Sequence, residues 1–201
     1  MSHLLFIRHG PTRWNETGRI QGRTDMPLSE AGRKAVSSWR LDARFDGWRC
    51  FCSPLGRARE TAALMQLEPD AEIEAIQEMQ WGQWEGHTLR SLRAMDPMAF
   101  TRNEDRGLDF RPPGGESPRE VRSRLHAWIT TLTESQLPAI AVCHKGVLRA
   151  ALSLATQWDM KNDPPEKLRD ATAHLYRIDQ GHLSVEELNI PLTATPQPSH
   201  D

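Results

Sequence analysis

At 201 residues the chain has the length of one ordinary domain, long enough to bury roughly 70% of its unfolded surface. Charged residues make up 26% of it and hydrophobic residues 38%, which excludes a disordered or fibrous protein. The 25 Lys and Arg nearly balance the 27 Asp and Glu, giving a net charge of −2 with both signs interspersed, so nothing in the composition points to nucleic acid.

The first apolar run, Leu4-Leu5-Phe6-Ile7, is cut off by Arg8, too early for a secretory segment or a membrane span, and the expectation is a cytoplasmic protein. Three cysteines are an odd number and predict free thiols. Cys50 and Cys52, two apart, point to the same side of a strand and lack further ligands at zinc spacing.

Strands alternate with helices along the chain. A short buried strand over 3–7 is followed by a polar loop and then by a helix entered at Leu28-Ser29-Glu30 and running through Trp39. A strand over 49–52 leads to Ser53-Pro54, read as an N-cap and a first-turn proline for a helix carrying Arg57 and Leu64. Residues 71–79 read as a strand opening into the loop 80–86, with a helix over 88–95 behind it. Residues 96–115, rich in Pro, Gly and Arg, are too long for a plain connection and predict a functional insertion or lid. Arg90, Arg93, Arg102, Arg106 and Arg111 could make that lid cationic, although Glu104, Asp105 and Asp109 beside them suit ordinary ion pairs.

Ser117-Pro118-Arg119-Glu120 is a capping box, and Val121, Leu125, Trp128, Ile129 and Leu132 behind it form the stripe of a core-facing helix. The apolar run 139–143 has the pattern of a parallel strand covered on both faces. A helix over 146–155 and a hairpin, 175–179 with 182–188 about Gln180-Gly181, follow; residues 193–201 read as a flexible tail. The expected fold is therefore a three-layer α/β protein, a mostly parallel doubly wound sheet with helices on both faces, its domain spanning 1–192.

In such a sheet the site lies at the carboxyl ends of the strands. Predicted strands end there in Arg8-His9-Gly10, in Glu78 and in His144-Lys145-Gly146, and a helix entry adds Arg57. Arginine forks bind phosphate oxygens, a neutral imidazole attacks phosphorus, and a carboxyl group can protonate a leaving oxygen. His3, His87, His126, His174, His182 and His200 show no metal-ligand spacing and read as surface or structural histidines. Trp81 and Trp84 flank the loop after Glu78 and either pack against it or line a leaving-group pocket.

Leu5-Phe6-Ile7-Arg8-His9-Gly10 with Thr12, Trp14 and Asn15 resembles the signature of the histidine phosphatase superfamily, in its phosphoglycerate-mutase-like branch. Further blocks follow in that family's order: Arg19 to Gly32 with Gln21-Gly22, Ser53 to Thr61, Glu78 to Gly86, Gly114 to Ser117, and His144 to Val147. The resemblance implies His9 as a nucleophile that becomes phosphorylated, Arg8, Arg57 and His144 around the phosphoryl oxygens, and Glu78 as proton donor. It places Thr12, Asn15, Gln21 and Gly22 against the phosphate or the group attached to it, and it implies neither metal nor cofactor.

The chain departs from the family at Lys145, where glycine is usual, at Pro11, and at Asp170-Ala171-Thr172-Ala173, where an asparagine is frequent. Lys145 either adds a contact to an acidic substrate or points to solvent. The expected function is a metal-independent phosphomonoesterase acting on a small phosphorylated metabolite. A mutase and a noncatalytic phosphate-binding or interaction module are the alternatives; against the mutase, this chain has Met79-Gln80-Trp81-Gly82 after Glu78 where mutases of the family it resembles show Arg-His-Tyr. A homodimer is left open.

Overall fold

A computed structural model describes residues 2–192, so the tail expected over 193–201 lies outside the described residues. Strand β1 (Ser2–Arg8) leads to a short helix α1 (Arg13–Glu16), helix α2 (Glu30–Ser37) and strand β2 (Arg49–Cys52). Helix α3 (Gly56–Leu64) and a two-residue strand β3 (Ala71–Glu72) come next, then helices α4 (Leu89–Met95), α5 (Pro97–Glu104) and α6 (Pro118–Thr131). Strand β4 (Ala139–Cys143), helix α7 (Lys145–Thr156) and the strands β5 (Thr172–Asp179) and β6 (His182–Pro191) complete the order.

The six strands form one sheet in the order β3-β2-β4-β1-β5-β6. β1, β2, β3 and β4 run parallel, and the closing hairpin of β5 and β6 adds two antiparallel strands at one side. Side chains alternate across the sheet as the two-residue strand period requires. Leu4, Phe6, Phe51, Ala141, Cys143 and Tyr176 pack under α6 and α7 on one face. Leu5, Ile7, Cys50, Cys52, Ile140 and Val142 pack under α2 and α3 on the other. The layered fold and the shared orientation of Cys50 and Cys52 follow the sequence reading, and all three cysteines are free and buried.

The capping box at Ser117 is formed, with Pro118 in the first turn of α6, and Val121, Leu125 and Ile129 are buried as the stripe predicts. Three expectations are corrected. The helix entered at Ser29 ends at Ser37, and Trp39 is buried just beyond it. Residues 71–79 do not make a full strand: only Ala71 and Glu72 pair with β2, and a single 3-10 turn over Glu74–Ile76 buries Ile76 instead. Ser53 does not cap α3, whose N-cap position is Leu55 with no side-chain bond; the Ser53 hydroxyl is drawn away by a partner from β4's end.

The stretch 96–115 is not structureless. It contains α5, capped by Asp96 with Pro97 in its first turn, and it packs Phe100 with Ile20 and Leu92 in a small satellite cluster. Trp84 stacks on Phe100 at 5.0 Å between ring centres, and Trp81 and Trp84 each meet Phe110 at 5.6 Å, so both indoles pack against the loop rather than standing free. Arg93 pairs with Glu104 and Arg111 with Glu120, which spends part of the expected cationic surface on ion pairs.

His174, on β5, is fully buried, accepts a hydrogen bond at Nδ1 from the Asn189 N–H, and is pushed down from 6.5 to about 4 by burial. A depressed imidazole leaves stability intact above 6.5 and erodes it as the pH falls toward the folded value, by about 2 kcal/mol at pH 5. Denaturant midpoints of the wild type should therefore drop between pH 7 and pH 5. The slope should be visibly shallower in His174→Gln; an unchanged slope would show that His174 is not a source of the loss.

Candidate active site

β1 and β4 lie side by side, and each hands its last residues to a polar segment at the carboxyl edge of the sheet. The His9 N–H donates to the Cys143 carbonyl at 3.0 Å and the Ser53 N–H to the Val142 carbonyl at 2.9 Å, so the parallel ladder itself sets the exits of β1 and β2 against β4. His9 and His144 are thereby placed with ring centres 5.1 Å apart, both nearly or fully buried. Gly10 is required beside them: a Cβ there would stand 2.2 Å from Val36 Cγ2.

The tautomer of His9 follows from its partner. Nδ1 lies 2.7 Å from the Gly10 carbonyl oxygen, which can only accept, so Nδ1 carries the proton and Nε2 keeps its lone pair. Burial, reinforced by the charges of Arg8 and then Arg57, holds the ring well below the usual imidazole range and favours its neutral form. Gly10 itself is tied down by Thr61, whose Oγ1 accepts from the Gly10 N–H at 2.9 Å and donates to the Arg57 carbonyl at 2.7 Å.

Arg57 is a fully buried cation. Its guanidinium donates to the Gly22 carbonyl at 2.6 Å and the Thr24 carbonyl at 3.2 Å, and it meets Asp25 at 3.4 Å, contacts that aim it from α3 into the crevice. Arg8 pairs with the exposed carboxylate of Asp170 through Nη1. Three buried polar atoms here have no partner among the described residues: Arg8 Nε, Arg57 Nε and His144 Nδ1. Buried donors in native proteins find acceptors, and a group of them beside two guanidinium charges is a receptor for an anion.

Glu78 enters from the loop after the 3-10 turn. Its Oε1 accepts from the Met79 N–H at 2.8 Å and the Gly146 N–H at 3.0 Å, and a Cβ on Gly146 would stand 2.3 Å from that oxygen, so glycine is needed for the approach. Burial raises its carboxyl above the usual glutamate range, against the pull of those N–H groups, Arg57 and Arg8. Glu74, Glu85 and Glu104, other glutamates near in sequence, have other duties. Burial opposes it, but hydrogen bonds from Thr24, Arg23 and Trp81 bring Glu85 below the usual range, and this carboxylate clamps the 22–24 loop to the 81–85 loop. Glu74 bonds Gln77, and Glu104 pairs with Arg93.

Thr12, Asn15 and Gln21 form one hydrogen-bonded group: Thr12 Oγ1 donates to Gln21 Oε1 at 2.6 Å, and Asn15 Oδ1 accepts from the Thr12 N–H at 3.1 Å. Gly22 contributes its carbonyl to Arg57. Lys145, the first residue of α7, is exposed and has no ion pair or hydrogen bond among the described residues; partial withdrawal from water and then the charge of Arg8 pull its ammonium below the usual lysine range. Sequence reasoning missed Ser53, Thr61 and Asp170 as neighbours of the site. The first two lie in the block that also contains Arg57, the only signal that they belonged there.

The chain belongs to the histidine phosphatase superfamily: the family model for its branch 1 matches residues 4–191. It is 36% identical over 159 residues to the Caenorhabditis elegans 6-phosphofructo-2-kinase/fructose-2,6-bisphosphatase, a match covering 75% of this chain and 33% of that protein, so the chain spans about a third of that relative's length. It is 26% identical over 222 residues to the 2,3-bisphosphoglycerate-dependent phosphoglycerate mutase 1 of Gloeobacter violaceus, covering 90% of this chain and 95% of the mutase. Among solved structures, Bacillus stearothermophilus YhfR superposes with a TM-score of 0.79 at 26% identity, covering 97% of this chain and 98% of its own. The relatives include both phosphatases and mutases, and the chain is a phosphoryl-handling enzyme of this superfamily. Among the described residues no helix is long and apolar enough to cross a membrane, and no group of His, Cys, Asp and Glu could hold a metal ion.

Proposed function

We propose that the chain hydrolyses small cytoplasmic phosphomonoesters, without a metal, through a phosphohistidine on His9. The observation that carries this reading is the His9 tautomer, an Nε2 lone pair held free beside the unpartnered Arg8 Nε, Arg57 Nε and His144 Nδ1. Nε2 attacks phosphorus while the bond to the ester oxygen breaks, and Glu78, whose carboxyl burial raises above the usual glutamate range, gives its proton to that oxygen. The alcohol departs. Water then attacks the phosphohistidine, the Glu78 carboxylate takes its proton, and orthophosphate leaves with His9 neutral again. The two guanidinium groups and the His144 N–H stabilise the charge that spreads over the equatorial oxygens in both steps.

Asn15 and Gln21 would touch the phosphoryl group or its substituent, with Thr12 and Gly22 holding them and Arg57 in place. Lys145, exposed beside Arg8 and without a partner among the described residues, suits an acidic substituent. A groove of about 510 Å³ lined by Arg23, Gln80, Arg111, Glu116 and Arg124 opens next in sequence to Gly22 and close to Glu78, and its charged walls suit a polar leaving group.

A mutase reading has the Gloeobacter relative in its favour. Against it stands Met79-Gln80-Trp81-Gly82 after Glu78, in place of the Arg-His-Tyr of mutases. Phosphate release from a panel of phosphomonoesters in the presence of a chelator decides between them. Steady release of orthophosphate with a transient, acid-labile phosphoryl-enzyme is expected; transfer of the phosphoryl group between substrate molecules without release would establish the mutase, and loss of release in the chelator would remove the metal-free mechanism.

A further inference from the structure

We infer that Ser53 is a positioning residue that sets the tautomer of His144, making this second histidine an N–H donor toward the phosphoryl site. The inference deepens the phosphatase reading and rests on it for its catalytic consequence, although the tautomer itself does not depend on turnover.

Ser53 leaves the end of β2 fully buried, its backbone N–H bound to the Val142 carbonyl at 2.9 Å. Its Oγ accepts from the Leu55 N–H at 3.3 Å and lies 2.7 Å from His144 Nε2. The hydroxyl proton needs an acceptor of its own, and among the described residues His144 Nε2 is the one within reach. Oγ–H therefore donates, Nε2 carries a lone pair, and the neutral ring holds its proton on Nδ1. That nitrogen is buried without a partner among the described residues, so the N–H it carries is left for an anion bound in the crevice.

The two histidines then do opposite work in the same tautomer. His9 spends its Nδ1–H on the Gly10 carbonyl and offers a lone pair at Nε2; His144 receives the Ser53 proton at Nε2 and offers N–H at Nδ1. Without the hydroxyl, nothing in the structure keeps His144 from the Nε2–H tautomer, which would turn a lone pair toward the phosphoryl oxygens and repel them. Burial and the charge of Arg57 keep the ring from solving this by taking a second proton.

The test has a spectroscopic and a binding arm. Long-range imidazole ¹⁵N–¹H spectra of the wild type, with His144 assigned by comparison with His144→Gln, should show the Nδ1–H form; an Nε2–H form overturns the inference whatever the variants do. In Ser53→Ala the Nε2–H form should appear and affinity for orthophosphate, read by ³¹P titration, should fall about tenfold, the size of one hydrogen bond to a charged acceptor. Ser53→Thr, which keeps the hydroxyl, should restore both. Retention of the Nδ1–H form and of orthophosphate affinity within twofold in a folded Ser53→Ala protein overturns the inference. If that variant does not fold, the wild-type tautomer decides. Should no ester be hydrolysed by the wild type, the phosphatase reading fails while the tautomer and orthophosphate binding still decide the role of Ser53.

Discussion

His9→Ala should abolish phosphate release, with turnover falling by at least about 10⁴-fold, the scale on which removing a covalent nucleophile acts. The magnitude follows from the absence of a substitute. The Nε2 of His144 is engaged by Ser53, and the three thiols, all buried, are pushed up by burial, Cys50 and Cys52 to about 12 and Cys143 well above its usual value. No other unprotonated nucleophile faces the crevice among the described residues.

The fold should survive the change. The hydrogen bond that ties this position to β4 runs from the His9 backbone N–H to Cys143, and alanine keeps it. Loss of the bond to the Gly10 carbonyl costs about 1 kcal/mol. Phosphate release, radiolabelled phosphoryl-enzyme and the melting temperature, measured together on the wild type and the variant, check each part. Turnover within tenfold of wild type would remove His9 from the mechanism.

How far the sequence carried these conclusions depends on whether the determinant was local. β4 was legible to the residue because five consecutive apolar positions between turn signals have few other uses in a chain of alternating strands and helices. The segment after β3 was not. Ile73 and Ile76 are three apart, which is the spacing of a turn of 3-10 helix rather than the two of a strand, and the acidic residues around them, Glu72, Glu74 and Glu78, hid the distinction.

The site divides the same way. Arg8, His9 and His144 sit at strand ends that any βα alternation would bring to one edge, so their convergence was readable from topology. Ser53 was misread because Ser-Pro before a helix is an N-cap signal, whereas the proton acceptor that claims its hydroxyl lies 91 residues away. Glu78 was separable from Glu74, Glu85 and Glu104 only by resemblance. The structure separates them physically, since Glu85 is saturated with N–H and hydroxyl donors while Glu78 is buried with a raised pKa.

The role of that carboxyl predicts a leaving-group-dependent defect in Glu78→Gln. A glutamine keeps an oxygen for the Met79 and Gly146 N–H groups, so the loop stays in place, but it has no proton to give to a departing alkoxide. Alkyl phosphates should lose about 10²–10⁴-fold in turnover. An aryl phosphate, whose phenolate leaves unprotonated, should still phosphorylate His9 at a rate within about tenfold of wild type. Because the same carboxylate then activates water, the second step slows as well, and the variant should release one equivalent of phenol in a burst while phosphoryl-enzyme accumulates.

The pH profile gives an independent reading. In the wild type, activity should fall on the acid side as His9, depressed from 6.5, takes a proton, and on the alkaline side as Glu78, raised from 4.5, loses one. The acid limb should remain in Glu78→Gln and the alkaline limb of the burst phase should vanish. Stability should follow the same carboxyl: raised by the fold, it loses its contribution as the pH rises above its unfolded value, so at pH 8 the neutral glutamine should melt no lower than wild type. Equal slowing of alkyl and aryl esters, with no burst, would place the proton on some other group.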